Sequence, residues 1–481
     1  MRWKVVLASL SRLLIVVGLS MTIPLIWSIY FNDGAWMSII YSMVITIGSG
    51  LIVYVLFPLE DIRLRYIEGY LIVTCGWLAV VLFGTLPYLL SGTMNFTNAI
   101  FETMSGFTTT GASILTDIES MPEGILMWRS LTQWLGGMGI IVLFVALVAH
   151  FGQGANKIFV AEAPGPVVEK LTPRISDTAK NLWKFYMIFT LIQIILLVLA
   201  GMTFFDSMAH TFTTIATGGF STKNASIGFY LDNALIQLII TVFMFLGGAN
   251  FALYYLVWKN KTLKIFVRNE EFRLYCKIVI IATLLVTISL YLARPGEHGI
   301  LPITALFQVV SILTTTGFAT VNYDTWPNFA RNVMFILLFI GGSLGSTGGG
   351  IKIGRFLILI KYTISELVRS IHPRLVRSIK INGVSVDDKI VINTFIFFFV
   401  YLSIVGISTI IMSSFDLDIE SASTSVLACI GVIGPGFGFV GPATNYAEIP
   451  ILGKYFLTFL MLVGRLEIFT VLVLFYPRNW S

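Results

Sequence analysis

The stretch Ser311–Thr320, SILTTTGFAT, ends an apolar run and sets three threonines directly before a glycine and a phenylalanine. Related stretches occur three more times: GFTTTGAS at Gly106–Ser113, TIATGGFST at Thr214–Thr222 and GVIGPGFG at Gly431–Gly438. Aligned on their glycines, the copies match Gly111, Gly219, Gly317 and Gly436, with Ala99, Ser207, Ala305 and Thr424 twelve positions upstream. The spacings between copies are 108, 98 and 119 residues. A loose repeat of this size, carrying one polar glycine loop per copy, is what the chain is organised around. Thr and Gly leave backbone carbonyls unobstructed, and Gly reaches angles that other residues avoid. Four such loops on one axis would give rings of carbonyl oxygens that replace an ion's hydration shell. A single copy reads equally as an ordinary turn; four in matching context favour the rings.

Composition places the chain in a membrane. It is 56% hydrophobic and 12% charged, with mean hydropathy +0.87, whereas a soluble protein carries about 25% charge. The 31 Lys and Arg against 25 Asp and Glu call for no nucleic-acid partner if the bases gather on one membrane side. Cys75, Cys276 and Cys429 have no CxxC spacing, and the four histidines form no HExxH pattern, so neither a disulfide framework nor a metal site is indicated.

Met1–Lys4 is basic and an apolar run follows from Val5 to Phe31, too long for a signal peptide and lacking a small-residue cleavage site. With the span Ala35–Phe57 it predicts a retained hairpin of two helices over 1–62. The rest divides into four units, 63–156, 157–262, 263–380 and 381–481. Each reads as long helix, half-length helix, glycine loop and long return helix. The half-length helices are expected at Phe96–Phe107, Phe205–Ala216, Leu301–Leu313 and Ser421–Val432. They are too short to cross a bilayer and fit re-entrant segments buried in protein. The return helices are expected at Ile125–Phe151, Leu231–Trp258, Asn328–Leu367 and Ile451–Phe475. The expected fold is an all-α polytopic membrane protein with four pseudo-symmetric units around a central pore, plus the hairpin, in roughly ten spans.

Basic residues crowd the links Lys157 to Lys184, Lys259 to Lys277 and Lys352 to Lys389. The opposite side carries Asp117, Glu119, Glu123, Asp206, Asp324, Asp416, Asp418, Glu420 and Glu448 with the glycine loops. The positive-inside rule then puts the basic links and both termini in the cytoplasm.

These features resemble the membrane subunit of a bacterial Trk-type potassium uptake system, in the Trk/Ktr/HKT superfamily. The resemblance rests on the TTTGAS, ATGGFST, TTTGFAT and GPGFG loops, on GGSLGSTGGGIK at Gly341–Lys352 and on MLVGRLEIF at Met461–Phe469. The N-terminal hairpin is similar to the Trk branch. The loops depart from the TVGYG signature of tetrameric potassium channels, as this superfamily's simpler filters do. The resemblance implies potassium-binding residues at Thr109, Thr110, Gly111, Thr217, Gly218, Gly219, Thr315, Thr316, Gly317, Gly434, Pro435 and Gly436. It also implies a homodimer in the bacterial inner membrane, regulated by a cytosolic nucleotide-binding ring of TrkA type. The chain itself then needs no cofactor, the nucleotide being bound by that partner.

Gly341–Gly350, GGSLGSTGGG, interrupts an apolar run with six glycines in ten positions. Each costs a helix about 1 kcal/mol relative to Ala, so the helix should break there. A Walker motif fails because Ile351 stands where Lys is required. Close helix packing through small residues is the plain alternative; a mobile gating loop of Gly341, Gly342, Ser343, Gly345, Ser346, Thr347, Gly348, Gly349 and Gly350 is favoured. Arg465 lies midway along the last span, where a charge costs about 2.5–3.5 kcal/mol. It is either a fixed positive charge in the permeation path or half of a structural ion pair, and Glu467 is poorly spaced to be its partner. The resemblance places such an arginine under the filter, near the glycine-rich loop. Lys352 is expected at the cytoplasmic interface. Trp77, Trp128, Trp134, Trp183, Trp258 and Trp326 are expected in the interfacial belt. The run Lys361–Lys380, with Arg369, Arg374 and Arg377, suits anionic membrane lipid or an acidic partner surface.

Three functions follow for comparison. A potassium-conducting pore fits best. A secondary transporter coupled to protons or sodium would show inverted repeats and intramembrane acids, whereas these units share one orientation. An enzyme would need a nucleophile, paired acids or a metal cluster, and none is visible.

Overall fold

The computed structural model describes residues 3–58, 66–139, 175–293, 301–372 and 378–476. Several expectations lie outside these residues: Arg63 and Arg65, the first return helix beyond residue 139, most of the link from Lys157, and Arg374 and Arg377.

The N-terminal span runs Trp3–Ser20 and Thr22–Phe31, and packs back against Trp36–Leu56. Glycine lets these helices approach closely. A Cβ on Gly18 would lie 2.5 Å from the Ile47 side chain, and one on Gly50 would lie 2.9 Å from the Ser11 carbonyl. The Asp33 carboxylate at the turn accepts from the backbone N–H of Gly124 at 2.7 Å, tying the hairpin to unit one.

The half-length helices are Phe96–Phe107, Phe204–Ile215, Leu301–Leu313 and Ile419–Ile430. Asn95, Thr203 and Asp418 cap the N-termini of the first, second and fourth through side-chain oxygens, satisfying otherwise unpaired N–H groups. Long helices precede them at Tyr66–Gly84, Ile175–Leu199, Glu270–Ala293 and Asp388–Ser413. Six described helices or spans are long and apolar enough to cross a membrane, eight if two bent pairs each count as one. The return segments of units one and three make up the difference from the expected ten: the first continues past residue 139, and a loop interrupts the third.

The return helices differ from expectation. Only the third was expected to break, yet the second splits into Ala234–Gly248 and Phe251–Asn260, bent by 91°, and the fourth into 451–465 and 469–475, bent by 108°. All four are in register. Their N-caps are Pro122, Asn233, Pro327 and Pro450, and fourteen residues on stand Gly136, Gly247, Gly341 and Gly464. At three of these sites the missing Cβ admits a carbonyl at the end of the same unit's half-length helix. A Cβ would lie 1.7 Å from Phe107 O at Gly136, 3.2 Å from Ile215 O at Gly247 and 2.1 Å from Ile430 O at Gly464.

The tryptophans also correct the reading. Trp77 and Trp128 are fully buried, Trp183 and Trp326 nearly so, and among the six only Trp258 is largely exposed. Trp128 donates to the Gly84 carbonyl at 3.0 Å. These rings fill the space between units, where large apolar area stabilises most. Among the described residues the strands form one hairpin, Lys380–Ile381 with Val384–Ser385. Asn382 and Gly383 turn it at φ 51° and 82°, as an Asn-Gly turn requires.

Candidate functional site

Each half-length helix ends in the same way. The N–H groups of Thr110, Gly218, Thr316 and Ile433 donate to Ser105, Thr213, Ser311 and Ala428 at 2.8–2.9 Å. Those of Thr109, Thr217, Thr315 and Val432 donate to carbonyls three residues back. This paired bond is a Schellman cap, which needs a left-handed residue just past the helix. That residue is Thr109 (φ 60°), Thr217 (φ 53°), Thr315 (φ 61°) or Val432 (φ 58°). β-Branched residues rarely adopt this conformation, and each such strain costs on the order of 1–3 kcal/mol.

Two residues later the chain is left-handed again, at Gly111 (φ 80°), Gly219 (φ 78°), Gly317 (φ 79°) and Gly434 (φ 98°). This corrects the alignment of the fourth copy by two positions: Gly434, not Gly436, is the counterpart of the other three. The upstream small residue then becomes Ala422, fully buried like Ala99, Ser207 and Ala305. The proline after Gly434 hid the register.

The four glycines close a ring. A Cβ on Gly111 would lie 2.2 Å from Gly218 O, on Gly219 1.9 Å from Thr316 O, on Gly317 2.0 Å from Ile433 O, and on Gly434 2.7 Å from Thr110 O. Each loop thus rests on the equivalent carbonyl of the next, in the order one, two, three, four, one. Gly218 O also accepts from Gln133 Nε2 at 2.7 Å and Gly434 O from Tyr446 at 2.8 Å. Among the described residues no donor reaches the carbonyls of Thr109, Thr110, Gly111, Thr217, Gly219, Thr315, Thr316, Gly317, Val432 or Ile433. These are largely buried residues, and buried carbonyls elsewhere are paired. Thr108 with Thr110, and Thr314 with Thr316, share hydroxyl bonds of 2.8 Å that stiffen loops one and three. Pro435 and Gly436 lie past the ring, where Gly436 O accepts from Tyr323 at 3.0 Å.

One position braces each loop from behind: five residues before the helix end stand Glu102, His210, Gln308 and Ser425. Glu102 accepts from Ser113 and from the Ile114 N–H at 2.9 Å each, and pairs with Arg129 at 2.6 Å. His210 Nε2 meets the Ser221 hydroxyl at 2.9 Å. Gln308 donates to Phe318 O and accepts from Thr320 N–H once its amide is oriented by its neighbours. In the fourth unit the adjacent Thr424 takes over, accepting from Phe437 N–H at 3.0 Å. Sequence reading missed these residues. The signal was a polar side chain at a common offset, but four different residue types concealed it.

The glycine-rich segment lies on the helix side of the ring. Its base is closed where Gly341 N–H donates to Ile351 O at 2.9 Å. The loop then docks on unit two: Ser343 N–H donates to Gly248 O at 2.8 Å, Thr347 N–H to Gly247 O at 3.3 Å, and Thr347 Oγ1 to Ile215 O at 3.0 Å. These are carbonyls left unpaired by a helix end, so the loop caps the broken second return helix. Phe251 N–H donates back to Gly345 O at 3.1 Å.

The loop meets the left-handed residue of every unit, directly or through Arg465. Thr217 bonds Thr347 at 3.2 Å, and Thr315 Oγ1 accepts from Gly349 N–H at 2.7 Å. A Cβ on Gly349 would lie 2.6 Å from Val432 Cβ. Arg465 completes the set, donating to Thr109 Oγ1 at 3.2 Å, Thr347 O at 2.9 Å and Gly137 O at 2.8 Å, and also to Gly136 O. Gly136 and Gly137 end the first return helix, whose C-terminal dipole favours a cation. Arg465 takes the register position held by Gly137, Gly248 and Gly342 in the other units. Gly348 and Gly350 complete the loop: a Cβ on Gly348 would lie 2.8 Å from Thr314 O, and Gly350 is left-handed at φ 65°.

Lys352 is not at an interface. It is buried, and its Nζ donates to Gly348 O and lies 3.5 Å from Ser346 Oγ. Glu467 bonds Arg355, just beyond the loop, joining units three and four.

A family profile described as cation transport protein, TrkH, matches residues 36–481. The chain is 38% identical to the Trk system potassium uptake protein TrkH of Halomonas elongata and 37% identical to that of Escherichia coli K12, covering 100% of each chain in both cases. The crystal structure of the potassium transporter TrkH from Vibrio parahaemolyticus superposes with TM-score 0.90 at 33% identity, over 100% of both chains. The chain therefore belongs to the TrkH family of cation transport proteins.

Proposed function

We propose that this chain is the potassium-conducting membrane subunit of a Trk system, taking up potassium (or rubidium) across the bacterial inner membrane. The observation that carries the reading is the closed ring at Gly111, Gly219, Gly317 and Gly434, lined by carbonyls that accept nothing from the described residues. A dehydrated cation supplies what these oxygens lack, and four helix C-termini aim their negative dipole ends at it. The names of the relatives support potassium as that cation.

The Gly341–Gly350 loop and Arg465 form the gate. The loop obstructs the path beneath the ring, and the guanidinium repels an arriving cation while holding the loop by hydrogen bonds. Two chains pair as a homodimer, and a cytosolic nucleotide-binding ring of TrkA type moves the loop. The exposed cations Lys259, Lys261 and Lys264 support a docking surface on the cytoplasmic side, with acids such as Asp117 and Glu420 on the other.

Rubidium flux into liposomes tests the filter. Gly317→Ser places a side chain at φ 79° against Ile433 O. Rubidium preference over sodium should fall in a protein that remains monodisperse; unchanged selectivity rules the ring out as the filter.

A further inference from the structure

We propose that Gln133 is a positioning residue that replaces the side chain missing at Gly218 and sets the second filter loop in register with the other three. The inference rests on the reading of these loops as the filter. The residue before the left-handed glycine is Thr110, Gly218, Thr316 or Ile433, so only loop two lacks a side chain there. Its backbone does not demand glycine, because Gly218 is not left-handed. The reason lies across the unit boundary: a Cβ on Gly218 would fall 2.4 Å from Gln133 Cδ. Gly218 is small because Gln133 occupies its side-chain space.

The Gln133 amide uses that space fully. Nε2 donates to Gly218 O at 2.7 Å, and Oε1 accepts from Phe220 N–H at 3.0 Å, bridging Gly219. One helical turn earlier, Arg129 donates to Ser221 O at 2.8 Å and lies 3.6 Å over the Phe220 ring. The first return helix therefore grips loop two from residue 218 to 221. The register defined by the caps puts Met244, Leu338 and Met461 at the Gln133 position. All three are buried or nearly so, and their side chains make no comparable bond. Three junctions thus combine a side chain on the loop with an apolar residue behind it; the first reverses the pairing. Gly218 O is also the carbonyl on which Gly111 rests, so Gln133 fixes the junction of loops one and two. A carbonyl has two lone pairs, and the second remains for the ion.

The test measures rubidium-to-sodium flux ratios in liposomes beside Gly317→Ser. Gln133→Met removes both bonds at nearly constant volume and should lower the ratio about tenfold, the size expected for orphaning a buried acceptor. A purely structural role would lower total flux and leave the ratio alone. Gly218→Thr alone should be harmful, since it meets Gln133. In a Gln133→Ala background the same Thr should restore the ratio to within about threefold of wild type, because loop two then follows the pattern of loops one and three. If Gln133→Met keeps its ratio while Gly317→Ser loses it, the inference fails and the filter stands. If neither loses it, the filter reading fails and takes the inference with it. If Gln133→Met does not fold, the double variant decides, and continued loss of ratio there overturns the proposal.

Discussion

The four loops and the four breaks in the return helices occupy equivalent places in each unit, yet they have diverged in opposite ways. The loops repeat one backbone: the same two left-handed positions, the same cap and the same contact with the next loop. The breaks share only their distance from the helix start. One is a helix end at Gly137, one a sharp bend after Gly248, one a ten-residue loop and one an arginine. An ion on an axis needs equal oxygens from all sides, so the ring tolerates little divergence. Control needs a part that moves against parts that do not, and symmetry there would be an obstacle.

The largest expected effect comes from breaking the equality of the ring. In Gly219→Ala the new methyl meets Thr316 O at φ 78°, and rubidium uptake per monodisperse protein should fall about a hundredfold, two strains of this kind acting together. Uptake near the wild-type rate would mean that the ring tolerates unequal members after all.

Arg465→Ala attacks the breaks instead. Basal rubidium flux without a regulatory subunit should rise about thirtyfold, a little over 2 kcal/mol of lost charge-assisted bonding, with selectivity unchanged. A variant that is monodisperse but inactive would assign Arg465 to structure and not to gating. Thr347→Val deletes only the hydroxyl bonds to Ile215, Gly247 and Thr217, and basal flux should rise about fivefold, near 1 kcal/mol. The smallest effect is expected at Gly436→Ala, within about twofold in selectivity, since this residue lies outside the ring and its Cβ meets side chains that can shift. A loss as large as that of Gly434→Ala would reinstate Gly436 as the fourth member.

Much of this was legible in the sequence, and the misses have physical causes. The half-length helices were placed to within two residues because polar caps and Thr-Gly ends bound them sharply. Gly434 was misassigned because alignment followed the glycine-phenylalanine pair, whereas the backbone follows the Schellman cap. The breaks at Gly248 and Arg465 were missed because one or two glycines cost a helix little; close approach of a carbonyl decides them, and sequence does not display that. Lys352 was put at an interface because a lone lysine normally reaches water, whereas here loop carbonyls receive it. Gln133 and Arg129 went unremarked because their partners lie in another unit.

The docking of the glycine loop also bears on the resting state. Its bonds to Gly247, Gly248, Ile215, Thr315 and Arg465 contribute roughly 1 kcal/mol each, and glycine's freedom when released returns part of that. A net bias near 3 kcal/mol would leave the undocked form populated at under about 1%. Reversing such a ratio requires a ligand that prefers the undocked form about ten-thousandfold. The unaided subunit is therefore a slow leak, and the work of opening falls to whatever binds it from the cytosol. Its conductance at rest is set by how many helix-end carbonyls the loop can cover at once.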